Sequence, residues 1–196
     1  MPDRCALLRG LIRSFFPDYL QLIEQDAIQD LRLDRIRFLT SSAPSLVAQI
    51  ADRHGESVTV LVRIEPAAMS AQQVGAHCGA TLRSLGLSYG CPVLVSIVFL
   101  TGGRSGIRLE SAPLARLRHL ELARFYYTTF SLGESRAEHY LQRPEPLAWA
   151  LAAGMRPVQR GPDDHRQACL DRIAGASLNC RQRAQLRRAA ETFAAG

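Results

Sequence analysis

An α/β fold with one mixed sheet held between helices follows from three features of this 196-residue chain. The run Val58-Thr59-Val60-Leu61-Val62-Arg63-Ile64-Glu65 is dense in β-branched residues and reads as a strand. The run Cys91 to Leu100 is apolar on both of its alternating faces, as a central strand covered on both sides must be. Helical patterns precede, separate and follow these strands, and that order calls for helices packed on a sheet.

Taken from the start, Leu7, Leu8, Leu11, Ile12 and Phe15 recur at helical spacing, and Tyr19, Leu20, Leu22, Ile23 and Ile28 continue the pattern to about Leu31. Pro17 breaks the first helix and suits the first turn of the second. Asp34 to Leu39 leads into Thr40-Ser41-Ser42-Ala43-Pro44-Ser45, a loop by composition. Leu46 to Asp52 and Val58 to Glu65, separated by His54-Gly55-Glu56, form an antiparallel hairpin. Residues 70 to 88 read as a helix whose end is marked by Gly86 and Gly90. After the central strand, Gly102-Gly103-Arg104-Ser105-Gly106 reads as a hairpin turn into Ile107-Arg108-Leu109, and His119 to Phe130 as a further strand. From Gly133 onward Pro144, Pro146, Pro157 and Pro162 punctuate three or four short helices. The last runs from about Leu178 to Ala195 with Leu178, Leu186 and Phe193 inward. The expected organisation is an α/β core over 1–132 with a helical extension over 133–196 packed on it.

Composition narrows the chemistry. All 24 basic residues are arginine, so no lysine is present to form a Schiff base, grip a phosphate loop or serve as a nuclease base. The net charge of +6 suits a polyanionic partner, because guanidinium forks match phosphate geometry. Cys5, Cys78, Cys91, Cys169 and Cys180 are odd in number and widely spaced, with no zinc pattern, and read as reduced thiols. Arg4, Arg9 and Arg13 interrupt the N-terminal apolar run, which is therefore no secretory signal, and no run approaches the ~18 apolar residues of a membrane span. A cytoplasmic protein with no membrane partner is the expectation.

Few residues stand where chemistry needs them. Glu65 ends its strand immediately before Pro66-Ala67-Ala68, a placement that presents a carboxylate to an open loop; the alternative is a solvated strand-end acid. The five histidines are scattered, Cys78 beside His77 is a poor nucleophile and base pair, and no Gly-x-Ser-x-Gly elbow occurs. Arg181, Arg183, Arg187 and Arg188 make the last helix basic, fit either to track a phosphate backbone or simply to be solvated. Phe125-Tyr126-Tyr127 offers stacking surfaces for bases only where exposed.

Four stretches in order, Phe15-Phe16-Pro17-Asp18-Tyr19-Leu20, Val60 to Glu65, Pro92-Val93-Leu94-Val95, and Pro146-Leu147-Ala148-Trp149-Ala150-Leu151 with Met155, resemble the Rpn-type recombination-promoting nuclease/putative transposase family of the PD-(D/E)XK superfamily. The resemblance spans about residues 7 to 158. It implies a restriction-endonuclease-like fold and DNA cleavage with a divalent metal such as Mg²⁺, with one acid on the first hairpin strand and an acid-x-Gln or acid-x-Lys on the second. The family's His-Ile-Glu-x-Gln corresponds to Arg63-Ile64-Glu65-Pro66-Ala67, which makes Glu65 the catalytic and metal-binding acid and puts Ala67 at the glutamine. The family's first acid falls on Pro44 or Ser45, and its helical arginine falls within Gln73-Val74-Gly75-Ala76-His77-Cys78. Asp52 stands at the turn end of the hairpin, roughly 20 Å from Glu65 at strand rise. Asp18, Glu24 and Asp34 depend on how the N-terminal segment packs.

These departures imply a nuclease-like protein with weakened or lost catalysis that binds DNA, a protein partner or a second copy of itself. The alternatives are an active Mg²⁺-dependent endonuclease whose second carboxylate has moved, and a protein-interaction domain with no nucleic-acid role.

Overall fold

A computed structural model describes residues 3–23, 31–40, 45–117 and 120–195. Helix α1 (Arg4–Ser14) starts on Asp3, whose carboxylate accepts from the amides of Cys5 and Ala6. It ends at Phe15, and α2 (Phe16–Ile23) begins with Pro17 in its first turn, where a missing amide costs nothing. Strands β1 (Leu31–Thr40), β2 (Ser45–Asp52) and β3 (Ser57–Ala67) form an antiparallel meander. Asp52 closes the β2–β3 turn by accepting from the amides of His54 and Glu56 at 2.9 and 2.7 Å, while Gly55 supplies the positive φ. Asp34 to Leu39 therefore belongs to a strand, its Arg35 and Arg37 outward and Ile36 and Phe38 partly covered.

Helix α3 (Ala71–Tyr89) opens on a reciprocal capping box between Ser70 and Gln73 and stops at Gly90, which takes the left-handed conformation. Gly86 lies inside the helix rather than at its end, and its carbonyl accepts the Gly90 amide. The helix carries the chain across to β4 (Val93–Thr101), parallel to β3. The glycine turn then departs from its sequence reading. Strands β5 (Ile107–Leu117) and β6 (Leu120–Ser131) form the hairpin, and β6 inserts between β4 and β5, giving the order β1-β2-β3-β4-β6-β5. Residues 102–106 form a loop that carries the chain past the place of β6 to the sheet edge, with positive φ at Gly102, Gly103 and Gly106. Helices α4 (Ala137–Leu141), α5 (Pro146–Ala152), α6 (Pro162–Ala174) and α7 (Cys180–Ala194) follow.

The sheet separates two cores. On one face Leu46, Ala48, Ile50, Val60, Val62, Ile64, Val98 and Phe130 pack with α1, α2, α5, α6 and α7 through Leu11, Leu20, Leu147, Ile173 and Phe193. The C-terminal helices share this core with the N-terminal pair. Tyr19 anchors α2 to the sheet by a buried 2.6 Å hydrogen bond between its hydroxyl and that of Ser96. On the other face Val47, Leu61, Val95, Ile97, Phe99 and Tyr127 lie under α3, which contributes Val74, Cys78, Leu82 and Leu85. The mixed α/β expectation holds, with six strands among the described residues. No helix among those residues is long and apolar enough to cross a membrane.

Helix α3 touches β5 through a glycine. A Cβ at Gly75 would stand 2.4 Å from the carbonyl oxygen of Pro113, so Gly75→Ala should destabilise the protein by about 1–3 kcal/mol. At Gly86, where nothing lies within 4 Å, alanine should instead stabilise by about 0.4–1 kcal/mol. Urea unfolding of the two variants checks both signs.

Candidate functional site

Glu65 is positioned by the two-residue period of β3. Val60, Val62 and Ile64 enter the core beneath α1 and α5, so Leu61, Arg63 and Glu65 point to the α3 side. Arg63 and Glu65 are thus side by side, two positions apart on one face. Arg63 Nε donates to Glu65 Oε1 in a short ion pair, with side-chain exposures of only 14% and 12%. From α3, His77 brings Nδ1 to 3.9 Å from the same carboxylate oxygen and 3.5 Å from an Arg63 terminal nitrogen. The other Arg63 terminal nitrogen reaches the His77 carbonyl at 3.4 Å.

This arrangement compensates the carboxylate before any ligand arrives. A divalent ion at Glu65 must displace the guanidinium, leaving Arg63 beside a dication and without its partner. Mg²⁺ also needs near-octahedral oxygen ligation, and the neighbours of Glu65 on this face are a cation and an imidazole. Among the described residues, no group of three or more His, Cys, Asp or Glu side chains is arranged to hold a metal. The remaining positions of the sequence reading bring no second carboxylate to Glu65 among the described residues. Ser45 pairs with Arg63 across β2 and β3, and Pro44 lies outside the described residues. Ala67 is exposed at the end of β3, opposite Thr101, with a methyl group that ligates nothing. Asp52 is occupied by the turn at the far end of the hairpin. Asp18 accepts from the Leu147 amide at the start of α5, on the far face of the sheet, and burial raises its pKa. Glu24 and the side chain of Asp34 lie outside the described residues.

Cys78 is no nucleophile here. It is fully buried under α3, and desolvation pushes its thiol up to about 11, with Arg63 pulling down and Glu65 adding a smaller upward push. His77, its neighbour in sequence, is half exposed and turned to Arg63 and Glu65.

The four arginines of α7 divide. Arg183 is partly buried and donates to the carbonyls of Ala176 and Leu178, tying α7 to the loop that follows α6. Arg187 pairs with Glu191 one turn on, at 3.2 Å. Arg181 and Arg188 are exposed and border a groove of about 450 Å³ between α1 and α7, floored by Ala6, Gly10 and Ala184. Helix α7 packs on the face opposite α3, so these cations and Glu65 lie on opposite sides of the sheet. Of the aromatic run, Tyr126 is exposed, Tyr127 is buried and Phe125 is intermediate.

Comparison of the chain with protein-family models, curated proteins and solved structures gives no match. The sequence reading missed Arg63 and His77 as neighbours of the acid. Strand period alone puts Arg63 beside Glu65; His77 needed the angle at which α3 crosses the sheet.

A double-mutant cycle on Arg63→Ala and Glu65→Ala should give a coupling of about 1–3 kcal/mol in urea unfolding, as expected for a hydrogen-bonded pair mostly removed from water. Alkylation of the native protein at pH 8 followed by peptide mass mapping should label exposed Cys180 and spare Cys78 and Cys169, whose thiols burial pushes up to about 11 and about 12.

Proposed function

We propose that this chain is a divergent PD-(D/E)XK-like domain of the Rpn type that has lost metal-dependent cleavage and acts by binding, with nucleic acid as its partner. The observation that carries the reading is the Arg63–Glu65 ion pair. It fills, with a cation from the protein itself, the position that the resemblance gives to the metal. The order of helices, antiparallel hairpin, helix and parallel strand, with the acid near the open end of the second hairpin strand, supports the family reading. Ser45 and Ala67 support the loss, because neither supplies the second carboxylate or the polar side chain that would orient an attacking water. The residues do not fit Mg²⁺, and no step of the proposed function runs through one.

Binding in this account is electrostatic and belongs to the α1–α7 groove. Arg181 and Arg188 are seven residues apart on α7, about 10 Å along its axis, and guanidinium groups at that spacing suit a phosphate backbone. A strand held there lies on the face that carries α1 and α7, whereas Glu65 points to the α3 side.

Supercoiled plasmid incubated with the wild type and Mn²⁺ should stay intact, and Glu65→Ala should be indistinguishable from it. Cleavage that Glu65→Ala abolishes contradicts the proposal and favours the active endonuclease. Binding of a fluorescent duplex should weaken with salt, and Arg181→Gln/Arg188→Gln should lower the slope of log affinity against log salt by about 2, one per lost phosphate contact. Absent or salt-independent binding removes the nucleic-acid partner.

A further inference from the structure

Three of the four large hydrophobic side chains most exposed among the described residues, Leu109, Leu122 and Tyr126, belong to the β5–β6 ribbon; they are 74%, 58% and 67% exposed. Strand β5 is also the last strand of the sheet, so its outer edge has no strand partner among the described residues.

The two halves of that edge differ. Pro113 and the register irregularities on either side of Ala115 interrupt the second half. Helix α3 covers the same stretch, with Gly75 against the Pro113 carbonyl and Arg83 donating to the Leu114 carbonyl. Proline, irregular register and a covering helix are the usual protections of a sheet edge. Residues 107–111 have none of these three, and the charges of Arg108 and Glu110 are the protection left to them. Their register with β6 is regular, and the exposed Leu109 lies at their centre.

The sequence of this half is complementary to itself. Arg108 precedes Leu109 and Glu110 follows it, with both charged side chains on the α3 face and Leu109 on the other. An antiparallel copy related by a two-fold axis at Leu109 sets Leu109 against Leu109, Arg108 against Glu110 twice, and Ile107 against Ser111 twice. Among the described residues Arg108 reaches the Ser105 carbonyl at 3.4 Å and Glu110 accepts from the Tyr127 hydroxyl at 3.2 Å, and neither is ion-paired with another described residue. On the face of Leu109, Ile107 packs against the core containing Phe130, and the exposed Tyr126 lies opposite Ser111 on β6.

We propose that β5 pairs with β5 of a second copy through residues 107–111, making a two-fold dimer with one sheet running through both chains. Self-complementary charge selects a second copy over an unrelated strand. The proposal is independent of any nucleic-acid role.

The test is mass by light scattering on the full chain. The wild type should give twice the 21.6 kDa of one chain. Arg108→Glu and Glu110→Arg, each placing like charges face to face, should run as single chains. An equal mixture of the two should regain the doubled mass, because both cross-pairs are then opposite in charge. The double variant Arg108→Glu/Glu110→Arg should dimerise alone, which keeps the test intact if a single variant fails to fold. A wild type of single-chain mass up to about 100 µM, well above a micromolar Kd, overturns the proposal. So does a doubled mass that both single variants retain, since the register is then wrong.

Discussion

The two-residue period of β3, fixed by burial on both faces, is the constraint on which the rest depends. Its even positions are needed by the core beneath α1 and α5, where Val60, Val62 and Ile64 are almost wholly removed from water. Moving the register by one would drive Arg63 and Glu65 into the apolar core beneath α1 and α5, where charged side chains lose their water, and would set Val60, Val62 and Ile64 under α3 instead. Arg63 and Glu65 are therefore held on the α3 face. Two opposite charges confined to one strand face, with little water, pair.

That pairing decides what the hairpin end can do. A carboxylate near the end of a strand beside an open loop is the usual beginning of a metal site, and the β2–β3 hairpin leading into α3 builds that setting. The guanidinium converts it into a structural contact, which His77 extends onto α3. The same sheet that fixes Glu65 on one side puts the exposed arginines of α7 on the other, because α7 buries Leu186 and Phe193 in the core it shares with α1 and α5. The exposed arginines of α7 and Glu65 thus sit on elements packed on opposite faces of the sheet.

Much of the fold was legible because burial writes a period into the sequence. The alternation of β3 and the two-sided apolarity of β4 each have one physical reading, and each strand formed within a few residues of it. The break at Pro17 also stands, but the helical pattern read on to about Leu31 overshot, since α2 ends at Ile23 and Leu31 opens β1. The strand β1 carries a fainter signal, Ile36 and Phe38 between Arg35 and Arg37, since an edge strand buries less. Gly102 to Gly106 misled because positive φ permits a hairpin turn and a longer passage equally, and only the pairing of β6 with β4 decides between them. At the site, Glu65 and the shortage of partners for it could be read from the chain. Arg63 was hidden by being read as a motif substitution rather than a strand neighbour. His77 depends on a helix crossing that no local pattern encodes.

The Glu65 carboxylate belongs either to Arg63 or to a metal. Mn²⁺ titration followed by amide NMR reads this directly, since the bound paramagnetic ion broadens the signals of nearby residues. The wild type should show no selective broadening at residues 63–67 through millimolar Mn²⁺, and Arg63→Ser should bring it on. Selective broadening of those amides in the wild type at micromolar Mn²⁺, abolished by Glu65→Ala, would contradict the account.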